Sequence, residues 1–216
     1  MATKRFLPVS CLLASTVFAQ VNLGLFTHSG DVGGPVREGA AEFSASEGQY
    51  RITGSGANMW AKQDQFQYVW REMSGNFAVT ATMRFLGEGA EHRKAGIVLR
   101  QTLDTDSTYA DLVIHGNGMP ALQWRSNQGE DTNTFDFPFT SPGTFKLKLV
   151  RNGVRIYVSF AKDGAELKEM AHTEVTFRGP ILVGLAVCSH QADASDTAVF
   201  SDVSVEQLAA PAGKKQ

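Results

Sequence analysis

Six side chains with planar or ionisable head groups lie close together mid-chain: Arg100, Tyr109, Asp111, His115, Gln123 and Arg125. They offer guanidinium forks, a phenol, a carboxylate, an imidazole and an amide, the donors and acceptors that hold hydroxyl-bearing ligands in fixed geometry. They fall in three segments, "AGIVLRQ", "YADLVIH" and "ALQWRS", and successive side chains of a strand point to opposite faces. With Ile97, Leu99, Ala110, Leu112, Ile114, Leu122 and Trp124 directed to a core, the six polar residues share the other face of neighbouring strands. This pattern predicts a polar groove suited to an oligo- or polysaccharide, with Tyr109, Tyr157, Trp60 or Trp70 as its aromatic platform. The plainer alternative is an exposed sheet on which Asp111 pairs with Arg100 or Arg125.

Within the groove His115 and Asp111 are the candidate acid/base pair, with Arg100 or Arg125 to stabilise negative charge. They are four residues apart on one strand, a rise of roughly 13 Å, so they act on a substrate lying across the sheet rather than on each other. No Ser-His-Asp arrangement or nucleotide loop is present. The five histidines show no metal-ligand spacing, and no metal is expected. The only cofactor with any basis is a structural calcium at Asp104, Asp106, Asp193 or Asp196, which match no recognised loop. His28 and Asp31, and His92 with Arg93, read as polar loops. Trp60 and Tyr68, in a segment that also holds Asp64 and Gln65, read as packing aromatics, and His190 as a strand end. His115→Ala and Arg125→Ala are expected to abolish ligand binding with little change in melting temperature.

The elements that must carry these residues are β-strands. "NFAVTATMRF" alternates strictly, with Phe77, Val79, Ala81, Met83 and Phe85 on one face and Ala, Thr and Arg on the other. "TFKLKLVRNGVRIYVSFAKDG" reads as a hairpin turning at Asn152-Gly153 in a type I′ turn. Phe145, Leu147 and Leu149, then Val154, Ile156, Val158 and Phe160, face inward. "ILVGLAVCSH" is almost continuously apolar, as a central strand is, and Cys188 within it reads as a buried, inert thiol. Ten or more such segments, with no convincing amphipathic helix, predict one all-β domain: a two-sheet antiparallel sandwich or jelly roll.

The first 19 residues have a basic start at Lys4 and Arg5, an apolar stretch, and Val17 and Ala19 before a cut at Gln20, the pattern of a secretory signal peptide. Cys11 within it does not make a lipoprotein site. The domain is expected over 20–207 with a disordered tail at 208–216, in a secreted or periplasmic protein with no membrane insertion after cleavage. A net charge of −2 gives no positive field for nucleic acid. A monomer is expected.

The blocks "ITGSGANMW", "DQFQYVW", "HRKAGIVLRQTLDTDSTYADLVIHGNGMPALQWR" and "VGLAVCSHQADASDTAVFSDV" resemble DUF1349-type domains of the concanavalin A-like lectin/glucanase superfamily. The resemblance spans roughly residues 23–206. It implies a jelly roll whose concave sheet binds the ligand, with Arg100, Asp111, His115, Gln123 and Arg125 in the groove and Lys94 at its edge. The closely spaced Glu-Asp-Glu pattern of the superfamily's glucanases is missing, which disfavours a retaining mechanism with carboxyls about 5–5.5 Å apart. Three functions follow: a secreted carbohydrate-binding module, a glycan-active hydrolase or lyase using the same groove, and a cell-envelope protein-interaction module. The last is favoured if the protein's own loops fill the groove.

Overall fold

The computed structural model describes residues 22–209, so the leader expected over 1–19 and most of the expected tail lie outside the described residues. The chain forms β1 (His28–Val32), β2 (Ala40–Ser44), β3 (Gln49–Gly56), β4 (Met59–Trp60), β5 (Gln63–Asp64), β6 (Phe66–Met73), β7 (Asn76–Leu86) and β8 (Lys94–Arg100). It continues with β9 (Tyr109–His115), β10 (Pro120–Arg125), β11 (Asn133–Asp136), β12 (Phe145–Asn152), β13 (Arg155–Lys162), β14 (Lys168–Glu174), β15 (Ile181–Cys188) and β16 (Gln191–Leu208). No helix occurs among the described residues.

Two antiparallel seven-stranded sheets pack face to face. The first runs β1-β6-β15-β8-β9-β10-β11 and the second β14-β13-β12-β7-β16-β3-β2, while β4 and β5 form a separate small hairpin. Alternation builds the core between the sheets. Ile97, Leu99, Ala110, Leu112, Ile114 and Leu122 meet Phe77, Val79, Met83, Phe145, Leu147 and Leu149 there. Sequestering this much branched and aromatic surface is the main favourable contribution to folding, and it needs no disulfide.

Two local details differ from the sequence reading. Asn152 pairs with Arg155, so the tight turn is centred on Gly153-Val154, and Val154 is exposed rather than inward. Gly153 alone of these has a positive φ, 64°, whereas a type I′ turn needs two such residues.

The outer face of the first sheet is largely covered. Val32, Met59, Phe66, Tyr68, Trp70, Val98, Ala186 and Cys188 form a second apolar cluster there. Burial on both faces explains why "ILVGLAVC" is so continuously apolar. It also pushes the Cys188 thiol up to about 11, which suits an inert side chain.

Candidate functional site

The register of β8, β9 and β10 arranges the outer face of the first sheet in rows. Lys94 stands beside His115; Gly96, Val113 and Ala121 follow; then Val98, Asp111 and Gln123; then Arg100, Tyr109 and Arg125. The second row is small, so the face dips between two polar rows. A Cβ at Gly96 would press into the Leu112 carbonyl, so glycine is needed at the bottom of the dip.

The last row is closed. The β4–β5 hairpin folds over it and buries Asp64 between two guanidiniums. Arg100 Nη1 donates to Asp64 Oδ2 at 2.7 Å, and Arg125 Nη1 and Nη2 donate to Oδ2 and Oδ1 at 3.0 Å each. Arg125 also donates to the carbonyls of Ala61, Ser107 and Glu130, and Arg100 to those of Thr102 and Asp104. The Tyr109 hydroxyl reaches Thr132 Oγ1 at 3.1 Å. Arg100, Tyr109 and Arg125 are therefore on the face that alternation assigns them, but with 0% exposure they are no part of an open groove. They fasten the hairpin instead. Buried charges are tolerable only when paired and hydrogen-bonded, and here they are.

The rest of the face is buried as well, with Lys94 3%, Asp111 0%, His115 4% and Gln123 2% exposed, but its cover leaves a small space. A pocket of about 220 Å³ lies against Lys94, His115 and Gln123, walled by Asn58 and Trp60 from the hairpin and by His92, Asp136 and His190. Lys94 Nζ donates to Asn58 Oδ1 and to the Met59 carbonyl, both at 2.9 Å, and stands 5.3 Å from the centre of the Trp60 ring. One ammonium N–H remains free. Burial lowers the Lys94 pKa, opposed by Asp111. Asp111, wholly buried beside Gln123, is held well above the usual carboxylate range by burial, again opposed by Lys94. Its Oδ1 accepts the Gln123 backbone N–H at 3.3 Å, and Oδ2 has no partner.

The His115 Nδ1–H donates to the Met119 carbonyl at 3.1 Å, leaving Nε2 free. Burial and then Lys94 push its pKa down to about 4, so the ring is neutral at physiological pH. Gln123 Oε1 and His190 Nδ1 are buried without partners. The His92 ring packs 5.6 Å from both the His115 and the His190 rings.

Of the predicted site, Lys94, Asp111, His115 and Gln123 come together around or beneath the pocket. Trp60 is the aromatic wall, while Trp70 is buried between His28 and Tyr68. Tyr157 belongs to the second sheet, against His172. Asp196 is paired with Arg93, and no group of three or more His, Cys, Asp or Glu among the described residues is arranged to hold a metal ion. Asn58, His92 and Asp136 were missed as pocket residues. Only His92 had a signal, its place two residues before Lys94 at a strand entrance.

No family model matches the chain, and neither does any curated protein sequence. Its fold is shared with solved structures. A functionally unknown protein from Saccharomyces cerevisiae has a TM-score of 0.63 at 16% identity, covering 86% of this chain and 97% of that one. The carbohydrate-binding module CBM66 from Bacillus subtilis has a TM-score of 0.54 at 15% identity, with 85% and 98% covered. A GH43 protein from Bacillus licheniformis has a TM-score of 0.57 at 15% identity, but this chain spans only 39% of its length. The class is thus an all-β sandwich of the concanavalin A-like jelly-roll type. At such identities the likeness is one of fold, and function rests on the site.

Proposed function

We propose that this protein is a carbohydrate-binding sandwich module that takes one sugar residue of a glycan into the pocket between Trp60 and the Lys94–His115–Gln123 floor. The observation that carries this reading is the set of unpartnered polar atoms beside an aromatic wall: Gln123 Oε1, His190 Nδ1 and the spare Lys94 N–H. A sugar hydroxyl both donates and accepts, so it answers acceptors and donors in one small space, while the ring's C–H face lies on the indole. The pocket is below the roughly 300–1,000 Å³ of drug-sized ligand sites, which suits a single ring. CBM66 is by its description a carbohydrate-binding module, and it is nearly the same size. Membership of the DUF1349 group and a secreted or periplasmic location, from the leader-type N-terminus, belong to the same reading.

A second reading has one observation in its favour. Asp111 is pushed toward its protonated form and His115 toward its neutral form, an acid and a base near one pocket, as in a lyase or hydrolase. The interaction-module reading needs a groove filled by its own loops; the hairpin segment fills the Arg100–Tyr109–Arg125 end and caps Lys94 through Asn58 and Met59, but leaves the pocket beside Trp60 unfilled.

The test is retention of the mature protein by an immobilised polysaccharide panel, with mass spectrometry of soluble products. Retention by a glycan is expected, falling about tenfold or more in Trp60→Ala and Gln123→Leu while their melting temperatures stay within a few degrees of the parent. Products that vanish in His115→Ala would establish the second reading. Absence of both retention and products would reject the sugar site.

A further inference from the structure

The pocket floor of Lys94, His115 and Gln123 is buried, whereas Trp60, His92 and Asp136 on its rim are exposed. The rim residues stand around the floor rather than along two sides of it. Beyond the Lys94 end of the strands lie His92, His190 and Met119, from the β7–β8, β15–β16 and β9–β10 connections. Beyond the other end lies the closed row of Arg100, Tyr109 and Arg125 beneath the β4–β5 hairpin. Across the strands, Asp136 of β11 stands on the far side of β10, and Asn58 and Trp60 stand over Lys94.

Each end is fastened by a buried Arg–Asp pair. Asp64 holds the hairpin end. At the histidine end Arg93 Nη1 donates to Asp196 Oδ1 at 2.5 Å and Nη2 to the Gly87 carbonyl at 2.9 Å, with both side chains buried. The pair ties the connection that carries His92 to β16, which His190 immediately precedes. A Cβ at Gly89 would press on both partners, so glycine makes the space for them. His190 has a φ of 58°, uncommon for a residue with a side chain, in a turn where the Ser189 hydroxyl donates to the Gln191 carbonyl at 2.7 Å. The His92 ring packs between those of His190 and His115. Such a backbone conformation persists where the surroundings over-determine it, so the histidines form a fixed wall.

We propose that the pocket takes the terminal residue of a glycan chain or branch and excludes residues inside a chain. The inference rests on the sugar reading of this pocket. An internal residue is linked on two sides and needs two openings. Here each direction along the floor ends in a fixed side chain, and the mouth faces away from the sheet, between Trp60, His92 and Asp136. A space of about 220 Å³ holds one ring, with no room for a neighbour to lie beside it on the floor.

The experiment is isothermal titration of the mature protein with xylan, mannan, galactan and β-1,3-glucan, each intact and after partial acid hydrolysis, and with their di- to hexasaccharides. Because one buried ring supplies the affinity, cutting a polymer to about a tenth of its length should raise the binding sites per gram about tenfold, at unchanged affinity per site. Disaccharide and hexasaccharide should bind within about twofold of each other. Sites per gram that do not change on hydrolysis, or an affinity that climbs steadily with oligosaccharide length, overturn the proposal and leave the sugar pocket standing. No binding to any polymer or oligosaccharide rejects the sugar reading and this inference with it. His190→Gly opens the wall at a position whose backbone suits glycine, so the fold is spared. In this variant the gain on hydrolysis should shrink toward none as intact chains find sites along their length; a gain that stays tenfold overturns the role of the wall.

Discussion

The two ends of β8, β9 and β10 began as one pattern of polar residues and ended as different kinds of structure. At one end Arg100, Tyr109 and Arg125 lie under the β4–β5 hairpin with their charges met by Asp64 and by carbonyls. At the other, Lys94, His115 and Gln123 face a pocket and keep atoms without partners. Residue type does not separate the two ends, since both hold charged and planar groups. What separates them is satisfaction. A polar network completed by the protein itself fixes conformation, and one left incomplete is available to a ligand.

The sharpest way to break this comparison is to remove Asp64. Asp64→Ala leaves two buried guanidiniums without their carboxylate, and breaking a buried pair from one side costs about 3–5 kcal/mol. Urea denaturation should show a loss of that order. Arg125→Ala should also destabilise severely, contrary to the sequence-based expectation that it would spare the melting temperature. An Arg125→Ala protein that melts like the parent and has lost only ligand binding would put Arg125 back in the site and dissolve the distinction.

The strands and their faces were legible because period-2 alternation survives any arrangement of neighbours, and each polar residue does stand on the face it was assigned. The cover was not legible. β4 and β5 are two residues each, too short to show a period, and Asp64 in "KQDQF" looks like any loop aspartate until the hairpin folds onto the sheet. Exposure was inferred from polarity, and that inference failed: Arg100 and Arg125 meet Asp64, Tyr109 meets Thr132, and Lys94, Asp111, His115 and Gln123 are buried too, all under cover supplied by distant parts of the sequence. Asp136 and Asn58 were invisible for the same reason. Trp60 was legible only as one of four aromatic candidates.

Protonation sharpens the comparison at intermediate effect size. His115 in the folded protein titrates at about 4 against an ordinary 6.5, so between those values the unfolded chain binds the extra proton. Its contribution to stability is complete above pH 6.5 and is lost progressively as the pH falls toward 4. Asp111 has the opposite sign: its raised value makes the folded state hold a proton the unfolded chain gives up, so stability falls as the pH rises above 3.8. Urea midpoints across this range should flatten on the acid side in His115→Gln, and should fall less with rising pH in Asp111→Asn. Parent-like profiles in both variants would mean that neither group is desolvated as the closed pocket floor requires.

The smallest expected effect concerns a residue that joins the two ends. Asn58 belongs to the hairpin that Asp64 fastens, yet its Oδ1 accepts from Lys94 Nζ in the open pocket and from the Met59 backbone N–H. Asn58→Ala should cost about 1 kcal/mol of stability, the worth of an ordinary hydrogen bond, because the Asp64 clamp still holds the hairpin down. Glycan affinity should drop severalfold, since Lys94 loses one of the two acceptors that aim its free N–H. If the hairpin serves the pocket only as a lid, stability and affinity will fall together in proportion. If it also positions Lys94, affinity will fall by more than the stability loss explains, and the closed end of the sheet will have been shown to orient the open one.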